Sequence, residues 1–428
     1  MSDRAEAASV WDELLLIPLA LWLVAVGLGS EPPGASGAEV VVVVPPCARP
    51  LEIALVVAAD AVGTAGSIRL VEQGAGGCVL PADLLPGMDN DGTVSGEKRR
   101  LAAVIPPCGE GAGERRFIAV GEQEPRDARF VFRDIAPESL GLFQGAEPVY
   151  VYNHGVIVGQ SVPESDRRRQ RSCYIHPLYG LSGEVLTDDF PRDHYHHHGV
   201  FWTWPHVRID GQEYDLWADR GIEQRFVRWL CRHAGRAAAV LAVENGWFIG
   251  DRKVMVERIW VRAYRRADGT RSVDLEMVWI AVDRPVTLWG APGKSYGGLT
   301  VRFAPPSRND PSTVITVPSG PTTADLPDTR LEWADFTSRF GDETARSGAA
   351  VFVHPAHPDY PPTWLTRHYG PLCVGWPGVK PKTFPPGEPF RLDYRIWVHK
   401  GPVTTEELAG AYDAYKTAVE AVRWEPGP

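Results

Sequence analysis

Three runs in the second half of the chain, VMVERIWVRAYRR (254–266), TRSVDLEMVWIAVD (270–283) and FRLDYRIWVHKG (390–401), keep β-branched and aromatic residues coming for more than ten positions each. Strands average about five or six residues, so runs this long predict broad antiparallel sheets stacked as a large sandwich. LTVRFAPP (299–306) and AAVFVHP (349–355) supply shorter strands of the same unit. The 15 Trp, 13 Tyr and 14 Phe, with 43 Gly and 38 Pro, favour strands and long shaped loops over helical bundles. The expected fold class is all-β.

The 428 residues are too many for one ordinary core. From Val40 the chain reads as short strands: VVVVV, LEIALVVAAD, SIRLVEQ, RRFIAVGEQ and ARFVFRD. That density suggests an immunoglobulin-like sandwich over 39–138. The stretch Leu85 to Lys98, containing MDNDG, is expected as an exposed loop; it lacks the full twelve-residue calcium pattern. A larger antiparallel β-sandwich, similar to a supersandwich, is expected over 139–402. Within it PVYVYNHGVIVG reads as a hairpin turning at Asn153-His154-Gly155. In 403–428 a helix is expected from Thr405 to Trp424, capped by Thr404 or Thr405, with Leu408, Tyr412, Tyr415 and Val419 as its apolar stripe.

Leu14 to Leu28 is uncharged and apolar, the length of a signal-peptide core and short for a membrane span. Small residues follow at Gly29-Ser30 and Ser36-Gly37-Ala38, although Asp3, Glu6, Asp12 and Glu13 upstream are atypical of a signal. Residues 1–38 are therefore expected to be a signal peptide or membrane anchor plus linker, and the protein periplasmic or extracellular. In such a compartment Cys47, Cys78 and Cys108 could supply one bridge; Cys173 and Cys373 read as buried thiols. The balance of 44 Lys and Arg against 54 Asp and Glu, net −10, argues against nucleic acid as a partner.

Chemistry concentrates in CYIHPLYGLSGEVLTDDFPRDHYHHHGVFWTW (173–204), which holds five of the twelve histidines. Burying so many rings is costly unless both nitrogens of each find partners. On a strand His194, His196 and His198 would share a face; on a helical turn His194 would align with His197 and His198. Asp188, Asp189 and Asp193 could orient the rings or raise their basicity. A hydrogen-bonded loop without chemistry, a metal site on His194, His197 and His198, and metal-free acid–base catalysis all remain open. No cofactor is assumed, and a divalent metal is compatible.

Other polar features could close the same cleft. Lys294 precedes a strand in KSYGGL, where paired glycines would let backbone approach a ligand. Glu257 and Arg258 are adjacent charges in an apolar strand and must point to opposite faces. Arg367, His368 and Tyr369 lie in a late polar-aromatic cluster. The proposed catalytic set is His194, His197, Asp193 and Glu257; the substrate-binding set is His176, His198, Lys294, Arg367, His368 and Tyr369.

The stretches YIHPLYGLSGEVLTDDFPRDHYHHHG, KSYGGLTVRF, AAVFVHPAHPDYPPTWLTRHYG and FPPGEPFRLDYRIWVHKG resemble, in order, a secreted bacterial family labelled "methane oxygenase PmoA" or of unknown function, common in planctomycetes. The resemblance covers about 140–402. Where that family commonly has Arg after the paired histidines, this chain has His198, which puts substrate or activity in question. The label does not carry function, because a particulate methane oxygenase subunit spans the membrane several times. At fold level the chain also resembles the sandwiches of sugar mutarotases and polysaccharide lyases, a weaker warrant. The function expected is an exported carbohydrate-active enzyme of hydrolase or lyase type. The alternatives are a metal-dependent oxidoreductase or hydrolase with His ligands, and a non-catalytic carbohydrate-binding protein.

Overall fold

The computed structural model describes residues 40–61, 67–74, 76–109, 111–121, 130–341 and 344–427. The Leu14–Leu28 segment lies outside them. Among the described residues no helix is long and apolar enough to cross a membrane.

Two nine-stranded antiparallel sheets form the body. The first, here the long sheet, runs in the order Glu223–Ala234, Ala238–Ile249, Arg252–Tyr264, Thr270–Ala281, Pro389–Lys400, Arg346–Val353, Trp333–Arg339, Val314–Val317 and Gly320–Thr322. The second, the site sheet, runs Thr329–Arg330, Thr363–Thr366, Pro371–Gly375, Gly298–Arg302, Val200–Thr203, Tyr174–Leu178, Glu147–Asn153, Ser139–Gln144 and Phe130–Ala136. Side chains alternate across a strand, so each sheet turns one face to a shared core. Trp202, Val301 and Leu372 come from the site sheet; Leu241, Ile259, Leu275 and Ile396 come from the long sheet. Strand makes up about 56% of the described residues, and the all-β sandwich class stands.

The N-terminal strands hydrogen-bond into one seven-stranded sheet, closed by the C-terminal strand Arg423–Pro426, which pairs with Val40–Val44. It belongs to the same compact unit as the two large sheets. The MDNDG stretch is a tight hairpin tip rather than an open loop. It docks on the long sheet, where Arg258 Nη1 donates to the Asp91 carbonyl at 2.7 Å and Trp260 Nε1 to that of Gly92 at 2.8 Å. Buried charge secures the same contact elsewhere: Arg395 donates to Asp274 at 2.6 Å and to Glu52 at 2.9 Å.

Two local expectations need correction. Glu147–Asn153 does not form a hairpin with Ile157–Val158. It pairs with Ser139–Gln144 and Tyr174–Leu178, while Ile157–Val158 pairs with Gln170–Arg171. The helix spans Thr405–Glu420, with Thr404 and Glu407 completing a capping box. Its last expected turn is strand instead, because edge pairing with Val40–Val43 satisfies that backbone. Leu408, Tyr412 and Tyr415 are buried as expected, but Val419 is exposed. All six cysteines are free thiols; Cys47 and Cys108 are neighbours, with Cys47 N–H 3.1 Å from Cys108 Sγ.

Candidate functional site

The site grows from three adjacent strands of the site sheet. Ile175, Val200, Trp202, Leu299 and Val301 face the core, so Tyr174, His176, Phe201, Thr300 and Arg302 occupy the opposite face. Residues 188–199 are stitched across that face by backbone bonds. Asp188 N–H donates to Arg302 O at 2.9 Å, Gly199 N–H to Asp188 O at 2.8 Å, and Arg302 N–H to Gly199 O at 2.7 Å. At the tip two consecutive turns close, His194 N–H to Pro191 O and His197 N–H to His194 O, both 2.9 Å.

These turns produce neither a strand nor a helix, and they sort the histidines. The His194 and His197 rings stack, with centroids 4.6 Å apart and planes within 5°. Tyr369 stacks on the other face of His194 at 5.3 Å and 6°. His196 meets both imidazoles edge-on, and Trp217 meets His197 in the same way. Arg302 and Arg308 place their guanidinium carbons 5.0 and 4.4 Å from the Tyr369 ring centroid, within cation–π range.

Beneath the stack lies a buried network. His198 Nδ1 is 2.8 Å from Asp189 Oδ1, and Tyr174 OH donates to Asp189 Oδ2 at 2.8 Å. His176 Nδ1 is 3.1 Å from Thr187 Oγ1. Burial pushes the Asp189 carboxyl up to about 6, against the opposing pull of His176 and the Tyr174 hydrogen bond. Asp193 moves the other way: burial would raise it, but the charges of Arg302 and His194 hold it below the usual carboxylate range. Arg302 Nη2 donates to Asp193 at 3.0 Å. Burial holds His176 and His194 below the ordinary imidazole value, His196 down at about 3, and His197 and His198 well below.

Nδ1 of His194, His196 and His197, and Nε and Nη1 of Arg302, are buried without a hydrogen-bond partner. His194 Nδ1 is 3.2 Å from Asp193 Oδ2, close enough for charge attraction but misaligned for a hydrogen bond. Unsatisfied polar atoms are uncommon in folded proteins and often mark sites of chemistry. Here they cluster beside a cavity of about 470 Å3 that Asp189, Asp193, Arg302, Arg308 and Tyr369 help to line.

Of the residues expected from sequence, Asp193, His194, His197 and Tyr369 assemble directly, with His176 and His198 beneath them. Arg367 and His368 sit next door, both bound to Asp325, at 3.0 and 2.9 Å. Lys294 is exposed on a separate turn and makes none of the contacts that build the site. Glu257 is corrected outright. It is fully buried between the two large sheets, where it accepts from Trp202, Gln224, Asn245, Trp247 and Trp279 at 2.8 to 3.0 Å. Its neighbour Arg258 faces the N-terminal sheet, so neither charge lines a cleft. The carboxylates that do line the cavity are Asp188, Asp189 and Asp193. Nothing in the sequence marks Tyr174, Arg308 or Trp217 as part of the site, and Arg302 lies in TVRF, which reads simply as strand.

The three histidines of the metal alternative are not grouped around one point: the His194 and His197 rings stack in parallel, and His198 lies beneath them, bonded through Nδ1 to Asp189. Among the described residues no three His, Cys, Asp or Glu side chains are arranged to hold an ion.

Fold and site together define an antiparallel β-sandwich protein with a histidine-rich site on one sheet face. The chain belongs to a family of unknown function (DUF6807), whose profile matches residues 142–413 and so includes every residue of the site. No curated protein matches. Among solved structures the chain is similar to the GalM/aldose epimerase homologue from C. elegans, with 10% identity over 64% of this chain and 100% of that one. The TM-score of 0.28 is too low for that likeness to carry any argument.

Proposed function

We propose that this protein is an exported carbohydrate-active enzyme of hydrolase or lyase type, acting at the cavity beside the histidine stack. The observation that carries the reading is a split pair of carboxylates. Asp189 and Asp193 line one cavity, and their surroundings drive their proton affinities apart, one up to about 6 and the other below the ordinary range. Such separation is how one site keeps an acid and a base available together. In this reading Asp189 holds the proton that passes to the leaving oxygen, with His198 and Tyr174 fixing its orientation. Asp193 stays ionised beside Arg302. The half-buried Tyr369 ring in the cavity wall offers an aromatic surface to the C–H side of a sugar ring.

Asp189→Asn should lower turnover by about 10²- to 10⁴-fold, the usual contribution of a general acid, while leaving the melting temperature within a few degrees. In the wild type, kcat/KM should fall as pH rises above about 6, where Asp189 loses its proton. Reducing-end release or unsaturated-product absorbance over a glycan panel measures both. An Asp189→Asn protein that is folded and within twofold of wild-type activity sinks the assignment. Export itself is tested by N-terminal sequencing of native protein: a start downstream of Leu28 is expected, and Met1 intact on a protein with no membrane association refutes it.

A further inference from the structure

The site does not stand alone. The cavity of about 470 Å3 shares Arg308 and Tyr369 with another of about 440 Å3, which continues to Asn309 and Thr313. Across the histidine stack, His196 and Trp217 line a depression of about 740 Å3. That depression shares Asp166 and Arg167 with a fourth, of about 710 Å3, reaching Phe226. A single pocket of roughly 300–1,000 Å3 already encloses a small ligand, so two pairs of adjoining depressions, one pair on each side of the histidine stack, exceed what one sugar needs.

Each also repeats the same chemistry. The first two share the Tyr369 ring, the third has Trp217 and Tyr296, and the fourth has Phe226 and His154. Beside these rings stand guanidinium groups, Arg308 between the first two depressions and Arg167 between the other two, whose forked N–H donors suit hydroxyl and ring oxygens. An aromatic surface beside a donor, repeated along a row, is what successive sugar rings of one chain require. The carboxylate pair sits within the row rather than at its end.

We infer that the ligand is a linear oligosaccharide several rings long, bound across the histidine stack, rather than a single sugar. This rests on the carbohydrate reading of the site. The test is calorimetric titration of the full described protein with mono-, di-, tetra- and hexasaccharides from cellulose, xylan, mannan and pectin, using Asp189→Asn to prevent turnover. For the recognised glycan, affinity should rise at least tenfold from disaccharide to hexasaccharide. Arg167→Ala and Asn309→Ala, on opposite sides of the histidine stack and both exposed, should each lower hexasaccharide affinity about three- to tenfold. A monosaccharide that binds as tightly as its hexamer overturns the chain-binding inference and leaves the sugar reading in place. No binding by any member of the panel overturns both.

Discussion

Replacing Glu257 with leucine should prevent folding, and replacing it with glutamine should lower stability by about 3 kcal/mol. Five N–H donors converge on its two oxygens in the core: Trp202 and Asn245 on Oε1, and Gln224, Trp247 and Trp279 on Oε2. Leucine matches the size but orphans all five donors, each at roughly 1–3 kcal/mol, against a typical total stability of about 5–15 kcal/mol. Glutamine keeps one acceptor oxygen. The amides of Gln224 and Asn245 can turn over to present oxygen, but an indole N–H can only donate. Even the better orientation therefore leaves one tryptophan facing an NH2 group. Urea unfolding followed by tryptophan fluorescence measures the loss. A Glu257→Gln protein of wild-type stability with abolished turnover would instead restore Glu257 as a catalytic acid and defeat the structural assignment.

Acidification should weaken the protein steeply between pH 7 and 5.5. His176, His196, His197 and His198 all have folded-state proton affinities below the ordinary imidazole value, chiefly because burial disfavours the charged ring. The unfolded chain protonates near pH 6.5, before the folded one does. As pH falls the unfolded state binds more protons, and the free energy of unfolding drops. Each ring that stays neutral contributes about 1 kcal/mol of loss over this interval, so His196, His197 and His198 together remove about 3 kcal/mol, and His176 adds to the loss in the same direction. Asp189 and Asp219, both pushed up to about 6 by burial, bind protons in the folded state over the same interval and offset about 1.5 kcal/mol of that loss. Urea denaturation at pH 7, 6 and 5.5 checks the slope. Constant stability over that range would mean that the imidazoles are already charged and paired in the fold. Replacing His197 with asparagine, which cannot titrate here, should flatten the slope by about one proton.

How much of this was legible in the sequence follows from the range of each interaction. The strands at 252–264, 270–281 and 389–400 declared themselves because strand preference is carried by their own residues. The hairpin of Glu223–Ala234 and Ala238–Ile249 did not, although its strands are as long. Arg225, Arg228, Arg232 and Glu244 break up its apolar pattern, and the ion pair of Arg228 with Glu244 that accommodates two of them appears only once the strands are paired. The capping box at Thr404 and Glu407 was readable because it closes within four residues. The end of that helix was not, because its competitor is a strand at the other end of the chain.

The site divides in the same way. Composition alone marked residues 193–198 as the place where polar groups are too dense for an ordinary core, and the structure puts the unsatisfied ring nitrogens there. Roles were another matter. Glu257 and Asp189 are both acids with a charged neighbour on one side and an apolar one on the other, and nothing local separates a carboxylate held by three tryptophans from one held by a tyrosine and a histidine beside a cavity. That distinction depends on which sheet face each residue occupies and on what the neighbouring strands bring opposite it. Arg302 and Tyr369 reach the histidines through pairing of strands far apart in the chain. The sequence by itself determined the strand lengths, the β class and the position of the histidine segment, because those depend on residues close together. Tertiary structure decided which charges are core fixtures and which face the cavity, because burial and partner identity arise only when distant strands meet.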